Sequence, residues 1–305
     1  MGDKPWDADR PLDAGQVRAS IESQFPGLDA RAISFLGSGW EFDVYVTADG
    51  WCFRFPRRVE YSTLFDVEAE TLGLVAPVLG PDIAVPLVEL RGSPGPSFPY
   101  PFAGHRVVPG IPANDPHAPS SSKLALELGF ALQRLHAVPE ERASAAGLSL
   151  DGEGSAEWLE ETLGDAPHLE GVSPTVDAAL RWLRKVHAVP QPYAGPPRLV
   201  HNDLCPEHLL VDAHSGSLLG VIDWTDAALG DPVVDFIVPA LWRGLGFVRS
   251  VLDSYVETDP DFSERLIFQC RVRSLHWLCS ALEQKGGFEK HHLWVRNAFG
   301  ELDSL

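Results

Sequence analysis

The sequence predicts an α+β fold with two lobes, an antiparallel sheet in the N-terminal part and a larger, mainly helical C-terminal part. Apolar and polar runs broken by glycine turns occupy residues 31–108, and this pattern is typical of paired strands. Apolar residues at helical spacing recur within residues 122–284. A polar segment rich in proline, residues 109–120, separates the two patterns. We therefore place the lobes at residues 1–108 and 109–305.

The N-terminal lobe is predicted to hold one sheet and two helices. In chain order we expect a leading amphipathic helix over 16–28, three strands within 31–57, a helix over 62–79, and two more strands over 83–92 and 100–108. The dipeptide Asp49-Gly50 lies between the second and third strands. An Asp-Gly pair flanked by apolar runs indicates a hairpin turn.

The C-terminal lobe is predicted to be helical around one irregular segment. Serine precedes the helical pattern at 122–139, and proline ends it. A second helical pattern covers 176–190, and further ones follow from about residue 232. Between them, residues 198–224 read as a polar loop and a small hairpin flanked by apolar runs. No internal repeat is present.

Charge and composition exclude several classes of protein. The chain of 305 residues has a formal net charge of -19, which argues against binding to nucleic acid or to an anionic membrane. The excess of acidic residues has two explanations. The protein binds cationic small molecules, or the acidic surface simply keeps it soluble. The N-terminus lacks the apolar region of a secretory signal. The four cysteines show no zinc spacing, so we expect reduced thiols in a cytoplasmic protein, which we also expect to be a monomer.

The most informative motif is the segment HNDLCPEH at residues 201–208, followed by the segment VIDW at 221–224. A loop carboxylate, a side chain able to bind metal five residues later, and a second carboxylate twenty residues on form a pattern typical of phosphoryl transfer. One carboxylate accepts the proton of a hydroxyl, and the other groups hold the magnesium that neutralises the phosphates.

This loop resembles the HGDLxxxN loop of the aminoglycoside phosphotransferase family, which has a protein-kinase-like fold. The form with histidine in the last position, followed by VIDWTDAALGDPVVDF, is most similar to the macrolide 2'-phosphotransferases. The resemblance covers residues 30–240 and implies a magnesium-dependent enzyme. Two positions depart from the family pattern, because Asn202 replaces glycine and His208 replaces asparagine.

The resemblance assigns roles to single residues of the two motifs. Asp203 matches the catalytic base, Asp223 matches the aspartate that chelates Mg²⁺, and His208 matches the metal-binding asparagine. Imidazole is a poorer magnesium ligand than oxygen, so His208 is expected to bind the metal weakly or through water. His201 is expected to brace the loop. Asp231 is expected to tie the helical lobe to it.

The N-terminal lobe is expected to hold the nucleotide. Gly37, Ser38 and Gly39 form a turn whose amides can approach phosphates. The short motif alone is more typical of a plain hairpin turn, and its place upstream of the loop at 201–208 supports the phosphate role. The family has a phosphate-pairing lysine on the third strand, but no lysine occurs between Lys4 and Lys123. Arg54 is its expected substitute. Glu68, or alternatively Glu70, is expected to pair with Arg54, and Glu68→Ala should then weaken nucleotide binding.

The purine edge is expected to meet the backbone of the segment that links the lobes. The residues predicted to contact the nucleotide there are Arg106, Val107 and Val108, and Ile222 is predicted to contact it from the segment VIDW. Backbone contacts alone do not distinguish adenine from guanine. The resemblance to macrolide phosphotransferases favours GTP, with ATP as the alternative.

The acceptor pocket is expected in the helical lobe near Asp203. Its predicted residues are Asp226, Phe236, Trp242, Tyr255 and Trp277. The aromatic residues fit a hydrophobic core as well as a pocket, and Asp226 fits either an amine contact or a solvent-exposed loop. The abundance of aromatic residues favours a large apolar acceptor.

These inferences predict phosphorylation of a macrolide antibiotic at the 2'-hydroxyl of its amino sugar, with antibiotic resistance as its consequence. One alternative is a kinase of the same fold that acts on an aminoglycoside or on a small metabolite with a hydroxyl group. The other is a kinase-fold protein that binds its ligand without catalysis, which the altered lysine and asparagine positions support.

Overall fold

The structure, a computed structural model, describes residues 8–152, 154–256, 259–284 and 286–300. The chain divides into two compact units. The first comprises Met1–Pro109 and Gly220–Thr225, and the second comprises Gly110–Leu219 and Asp226–Leu305. Residues 220–225 thus belong with the N-terminal unit, although they follow the catalytic-loop motif in sequence. Among the described residues, no helix is long and apolar enough to cross a lipid bilayer.

The first unit is built on a five-stranded antiparallel sheet with the strand order β1-β2-β3-β5-β4. Its strands are β1 (Ile33–Ser38), β2 (Phe42–Thr47), β3 (Trp51–Pro56), β4 (Leu90–Gly92) and β5 (Phe102–Arg106). Two α-helices accompany them, α1 (Ala14–Gln24) and α2 (Leu64–Leu79). The Asp49-Gly50 hairpin is present, and Gly50 has a φ of 83° that favours glycine.

The central strand β3 places different chemistry on its two faces. Every residue of β3 is buried, and successive side chains of a strand point to opposite faces. Phe53 and Phe55 enter an aromatic core that also contains Phe98 and Phe102. Arg54 lies on the opposite face. This alternation places the Arg54 guanidinium on the face of β3 opposite the aromatic core.

The strand predicted over residues 83–92 is shorter than expected. Only Leu90–Gly92 pairs as β4, and residues 85–89 run without strand pairing. Pro86 lies within this stretch. A proline has no N–H to donate to a neighbouring strand, which is the physical reason for the difference.

The second unit is mainly helical and contains two small sheets. Its helices are α3 (Ser122–His136), α4 (Glu140–Ala145), α5 (Ser155–Asp165), α6 (Pro174–Leu183), α7 (Val234–Leu252), α8 (Phe262–Gln284) and α9 (Phe288–Gly300). Its strands are β6 (Ile111–Pro112), β7 (Arg198–Val200), β8 (Leu209–Val211) and β10 (Ala228–Gly230), while β9 (Leu218–Val221) crosses the boundary between the units. The motif HNDLCPEH occupies the loop from β7 to β8.

Helices α4, α5 and α9 and the pairing of β10 with β7 were not predicted from the sequence. Buried side chains of α5, α6 and α8, with Val295 of α9, form one apolar core in this unit. The predicted helices over 122–139 and 176–190 correspond to α3 and α6. All four cysteines are free thiols, as expected.

Candidate active site

A cavity of about 190 Å³ opens within the first unit. Of the residues predicted to bind nucleotide or metal, it is lined by Gly39, Arg54, Ile222 and Asp223. His105, Cys52 and Glu41 also line it. The chain therefore brings a guanidinium and a carboxylate from distant parts of the sequence to one cavity in this unit.

Arg54 forms a buried ion pair with Glu68 of α2. Arg54 NH1 donates to Glu68 Oε1 at 2.8 Å, and NH2 donates to Oε2. Glu68 is 2% exposed and Arg54 is 7% exposed. Burial opposes the charge on Arg54, yet the Glu68 and Asp223 carboxylates outweigh it and raise the pKa of the guanidinium. The pair expected from the sequence is therefore present, with Glu68 and not Glu70 as the partner.

The turn at Gly37, Ser38 and Gly39 is held by hydrogen bonds of its own. The Ser38 hydroxyl donates to Asp43 Oδ1 at 2.6 Å, and the Gly39 N–H donates to the Phe42 carbonyl at 2.9 Å. A Cβ atom added to Gly37 would meet no atom within 4 Å. Packing within the chain thus does not require glycine at position 37, which is consistent with a backbone that a ligand approaches.

The segment predicted to meet the purine is partly engaged with the protein. The Val107 N–H donates to the Gly50 carbonyl at 3.0 Å, so this one backbone group is already paired within the protein. The Arg106 guanidinium lies over the Trp51 ring at 3.9 Å and donates to the Asp49 carbonyl. Val108 is buried.

His105, which precedes this segment, was not predicted as a site residue. Its Nδ1 lies 2.8 Å from the Arg106 carbonyl, and its ring lines the cavity. Burial, together with the nearby positive charge of Arg54, lowers the pKa of His105 to about 4. The imidazole is therefore neutral at physiological pH.

Asp223 and Ile222 follow β9 and are both half-buried. Asp223 has a φ of 65°, a left-handed conformation that aspartate adopts more readily than most residues. The Thr225 hydroxyl donates to Asp223 Oδ1 at 3.1 Å. A carboxylate beside nucleotide phosphates is an ordinary way of binding Mg²⁺, so Asp223 fits this role.

The HNDLCPEH loop at residues 201–208, which is expected to be the catalytic loop, is anchored from α7 by Asp235. Its carboxylate accepts the backbone N–H of His201 at 2.9 Å and that of Asn202 at 2.8 Å, and His136 Nε2 lies 3.0 Å from Oδ2. Asp235, His136 and His201 are all 0% exposed. Burial opposes the charge on Asp235, but His136 and the His201 N–H keep its pKa below the ordinary value.

The role expected of Asp231 therefore belongs to Asp235. Asp231 instead pairs with Arg265 of α8, whose Nε donates to Oδ2 at 2.7 Å. Asp235 is the only charged residue in the apolar run VVDFIVPAL. A charge in such a run is expected to be buried and must then have hydrogen-bonding partners. This pattern could have identified Asp235 as an anchoring residue. His136, which ends α3, carries no comparable signal.

Backbone geometry accounts for the asparagine at position 202. Asn202 has a φ of 67°. Glycine adopts this conformation freely, and asparagine tolerates it better than other side chains do. The departure from the family's glycine is thus compatible with the same turn. His201 braces the loop as expected, since its Nδ1 accepts the Asp203 N–H at 3.3 Å.

Asp203 has two side-chain neighbours on its own loop. The Cys205 thiol donates to Asp203 Oδ1 at 3.1 Å, and His208 Nδ1 lies 3.4 Å from Oδ2 and 2.8 Å from the Asp203 carbonyl. Burial and the Asp203 charge raise the pKa of Cys205, so the thiol remains a hydrogen-bond donor. The Asp203 carboxylate is thus held in a fixed orientation and is still 36% exposed.

A second ion pair adjoins the loop. Lys290 of α9 donates to Glu207 Oε1 at 2.6 Å and lies over the Trp294 ring. Burial opposes the charge on Glu207, but Lys290 holds its pKa below the ordinary value. This pair ties α9 to the catalytic loop, and neither residue was singled out in the sequence.

The residues predicted for the acceptor have different environments. Phe236 and Tyr255 are 0% and 3% exposed, and their rings pack against each other in the core with Phe262. This packing leaves neither ring a surface for an acceptor, so these two assignments are wrong. Trp242 and Trp277 are half-buried, and Asp226 is exposed.

The second unit also contains a cavity of about 470 Å³. Among its lining residues are Asp151, Tyr193, Asp231 and Arg265. Its walls include Pro197, which precedes β7, and the end of β10, whereas the loop at residues 201–208 follows the other end of β7. None of the residues predicted for the acceptor lines this cavity.

Comparison with known proteins gives one family match. The family model described as the phosphotransferase enzyme family (APH) matches residues 32–265. The uncharacterized protein YcbJ of Bacillus subtilis (strain 168) is 27% identical over 213 residues, which cover 66% of this chain and 67% of that protein.

Solved structures share the fold. The GDP complex of aminoglycoside 2'-phosphotransferase-IIIa superposes with a TM-score of 0.73 at 21% identity, over 94% of this chain and 98% of that chain. The apoenzyme of macrolide 2'-phosphotransferase MphH from Brachybacterium faecium gives a TM-score of 0.65 at 22% identity, over 95% and 99%. These matches confirm the α+β, kinase-like fold predicted from the sequence.

Proposed function

The chain belongs to the phosphotransferase enzyme family, and on this basis we propose that it transfers the terminal phosphate of GTP or ATP to the 2'-hydroxyl of a macrolide amino sugar. The observation that carries the proposal is the anchored catalytic loop. Asp203 is oriented by its neighbours, while Asp235 fixes the backbone on either side of the His201–Asn202 peptide. Positioning of this kind is the main contribution of a protein to phosphoryl transfer.

In the proposed reaction, Asp203 accepts the proton of the acceptor hydroxyl. The hydroxyl oxygen forms a bond to the terminal phosphorus, and the bond from that phosphorus to the bridging oxygen breaks. The products are a phosphate ester and the nucleoside diphosphate. A positioned general base contributes about 10²–10⁴ in rate, and the Asp203 side chain is 36% exposed, so a hydroxyl can reach it.

The first unit is assigned to the nucleotide. The cavity there holds the Arg54 guanidinium, whose charge suits a phosphate, and the Asp223 carboxylate. Asp223 would hold Mg²⁺, which neutralises phosphate charge when it is bound. His208 does not fit Mg²⁺ well, because its donor is an imidazole nitrogen that already contacts Asp203.

Support for a macrolide rests on the resemblance of the motif and on the macrolide phosphotransferase among the similar structures. A specific observation favours an aminoglycoside as the second candidate. The aminoglycoside 2'-phosphotransferase gives a TM-score of 0.73, against 0.65 for the macrolide enzyme. Both acceptors carry amines, and the net charge of -19 suits either.

Mass spectrometry of the acceptor tests the proposal. Erythromycin and kanamycin are incubated separately with the protein, Mg²⁺, and GTP or ATP. We expect erythromycin to gain one phosphoryl group, and Asp203→Asn to lose at least about a hundredfold in rate. Glu157→Gln, on the surface of α5, is the matched control.

The other outcomes are equally informative. If kanamycin is phosphorylated and erythromycin is not, the acceptor is an aminoglycoside, and the proposed phosphoryl transfer still holds. Nucleotide hydrolysis without either product would point to a small hydroxyl metabolite. If neither hydrolysis nor product appears although nucleotide binds, the protein binds its ligand without catalysis.

A further inference from the structure

The side chains around Asp203 form a donor set that differs from the one magnesium prefers. Asp203, Cys205 and His208 offer one carboxylate oxygen, one sulfur and one imidazole nitrogen, all within 4.8 Å of one another. Magnesium selects oxygen ligands. Thiolate and imidazole are the ligands of zinc and of neighbouring transition metals.

We propose that Asp203, Cys205 and His208 bind a thiophilic divalent cation such as Zn²⁺, and that occupation of this site blocks phosphoryl transfer. The first half of the proposal concerns metal binding by the protein alone. The second half rests on the proposed function, since it requires Asp203 to be the base.

Two of the donor separations are close to those that a tetrahedral metal ion requires, and all three donors lie within 4.8 Å of one another. Cys205 Sγ lies 3.1 Å from Asp203 Oδ1, and His208 Nδ1 lies 3.4 Å from Oδ2. Bond lengths of about 2.3 Å to sulfur and about 2.0–2.2 Å to nitrogen or oxygen place tetrahedral donors about 3.4–3.6 Å apart. Only small side-chain movements are therefore needed to surround an ion.

The loop backbone is fixed before any metal binds. Asp235 accepts the N–H groups of His201 and Asn202, and the N–H of Cys205 donates to the Asp203 carbonyl at 2.9 Å. The His208 N–H donates to the Cys205 carbonyl at 2.9 Å. A preformed site of this kind loses little conformational freedom when it binds its ion.

The site is also accessible. The side chains of His208 and Asp203 are 17% and 36% exposed, and Cys205 is half-buried. An ion can therefore reach all three donors, and a fourth position remains for water, as in zinc sites with three protein ligands. Binding displaces the thiol proton and the contact of His208 Nδ1 with the Asp203 carbonyl.

Metal binding removes the proton acceptor. A cation bound to the Asp203 carboxylate competes with the acceptor hydroxyl for its lone pairs, and the positive charge lowers the basicity of both oxygens. Zn²⁺ should inhibit even in excess Mg²⁺, because the two ions differ in preferred donors. Removal of Zn²⁺ by a chelator should restore the reaction.

Cobalt titration of the full-length protein tests the metal site without substrate. Co²⁺ replaces Zn²⁺ in such sites, and thiolate ligation gives a near-ultraviolet charge-transfer band. We expect a saturable band that Zn²⁺ bleaches, because zinc binds more tightly than cobalt. Cys205→Ser should abolish the band, and His208→Asn should weaken cobalt binding by at least about tenfold.

His117→Asn is the matched control, since His117 also contacts an aspartate, Asp115 at 2.9 Å, but has no thiol beside it. It should leave the band unchanged. A missing band in the wild type, a band that survives Cys205→Ser, or unchanged affinity in His208→Asn overturns the metal site. If Cys205→Ser does not fold, Cys205→Ala replaces it under the same criteria.

The inhibition is tested separately once an acceptor is phosphorylated. Micromolar Zn²⁺ should slow the wild type and should slow Cys205→Ser at least about tenfold less strongly. Equal inhibition of the two proteins overturns the inhibitory role. If no acceptor is phosphorylated, the cobalt result still decides the metal site, so failure of the proposed function is distinguished from failure of this inference.

Discussion

The guanidinium of Arg54 and the carboxylate of Glu68 form a two-point ion pair in the interior of the first unit. Arg54 comes from the middle of β3, and Glu68 comes from the second turn of α2. The Arg54 guanidinium also lies near the rings of Phe42 and Phe65, at 5.1 and 5.5 Å from their centres. The charge is thus enclosed by aromatic rings on the face of β3 that borders the cavity.

Removal of one partner should therefore destabilise the unit strongly. We expect Glu68→Gln to lower the free energy of unfolding by about 3–5 kcal/mol, because it leaves a buried guanidinium without its counterion. Urea denaturation followed by circular dichroism measures this loss. Nucleotide affinity should fall as well, since Arg54 is no longer held in place.

A double variant separates the two effects. Arg54→Met with Glu68→Leu replaces the pair with apolar side chains of similar size, which is often neutral for stability. We expect it to recover most of the stability and none of the nucleotide affinity. Wild-type affinity in this variant would show that Arg54 has no part in binding phosphate.

His105 should make the stability of the first unit depend on pH. Burial and the Arg54 charge lower its pKa from an ordinary 6.5 to about 4. Between these values the unfolded chain binds a proton that the folded chain does not, so stability falls as the pH drops from about 6.5 to about 4. The loss amounts to about 3 kcal/mol over the window.

Urea unfolding at about pH 7.5, 6 and 5 measures this dependence. His105→Gln removes the titrating group, so its stability should fall less steeply below about pH 6.5 than that of the wild type. The other titratable groups are present in both proteins, so their contributions cancel when the unfolding free energies of the two proteins are subtracted. Parallel curves for the two proteins would contradict a depressed pKa at His105.

Local patterns predicted much of this molecule. The resemblance to the phosphotransferase family, through its lysine position on the third strand and its helix spacing, led to Arg54 and to Glu68 or Glu70, and the structure pairs Arg54 with Glu68. The match of HNDLCPEH to the family's loop led to His201 as the residue that braces this loop. In these cases a motif placed the residues in a known fold, so the sequence was sufficient to name the partners.

Contacts between segments that are distant in sequence could not be predicted from local patterns. Asp231 lies just before α7 and Asp235 lies in its first turn, and only the fold decides which of them faces the loop and which faces Arg265. Phe236 and Tyr255 fit a pocket or a core equally until their neighbours are known. The Lys290–Glu207 pair depends on the packing of α9, whose helix was not predicted.

The assignment of the loop anchor to Asp235 can be checked with a pair of variants. Asp235→Asn replaces one carboxylate oxygen by an amide N–H₂ that faces N–H donors, so at least one buried donor loses its acceptor. We expect a loss of about 2–3 kcal/mol in unfolding free energy. We also expect a fall in kcat larger than any rise in KM, because the loop that carries Asp203 is displaced. Asp231→Asn is the matched control, since Asp259 continues to pair with Arg265 at 2.7 Å. It should leave kcat nearly unchanged, and an equal fall in kcat for both variants would return the anchoring role to Asp231.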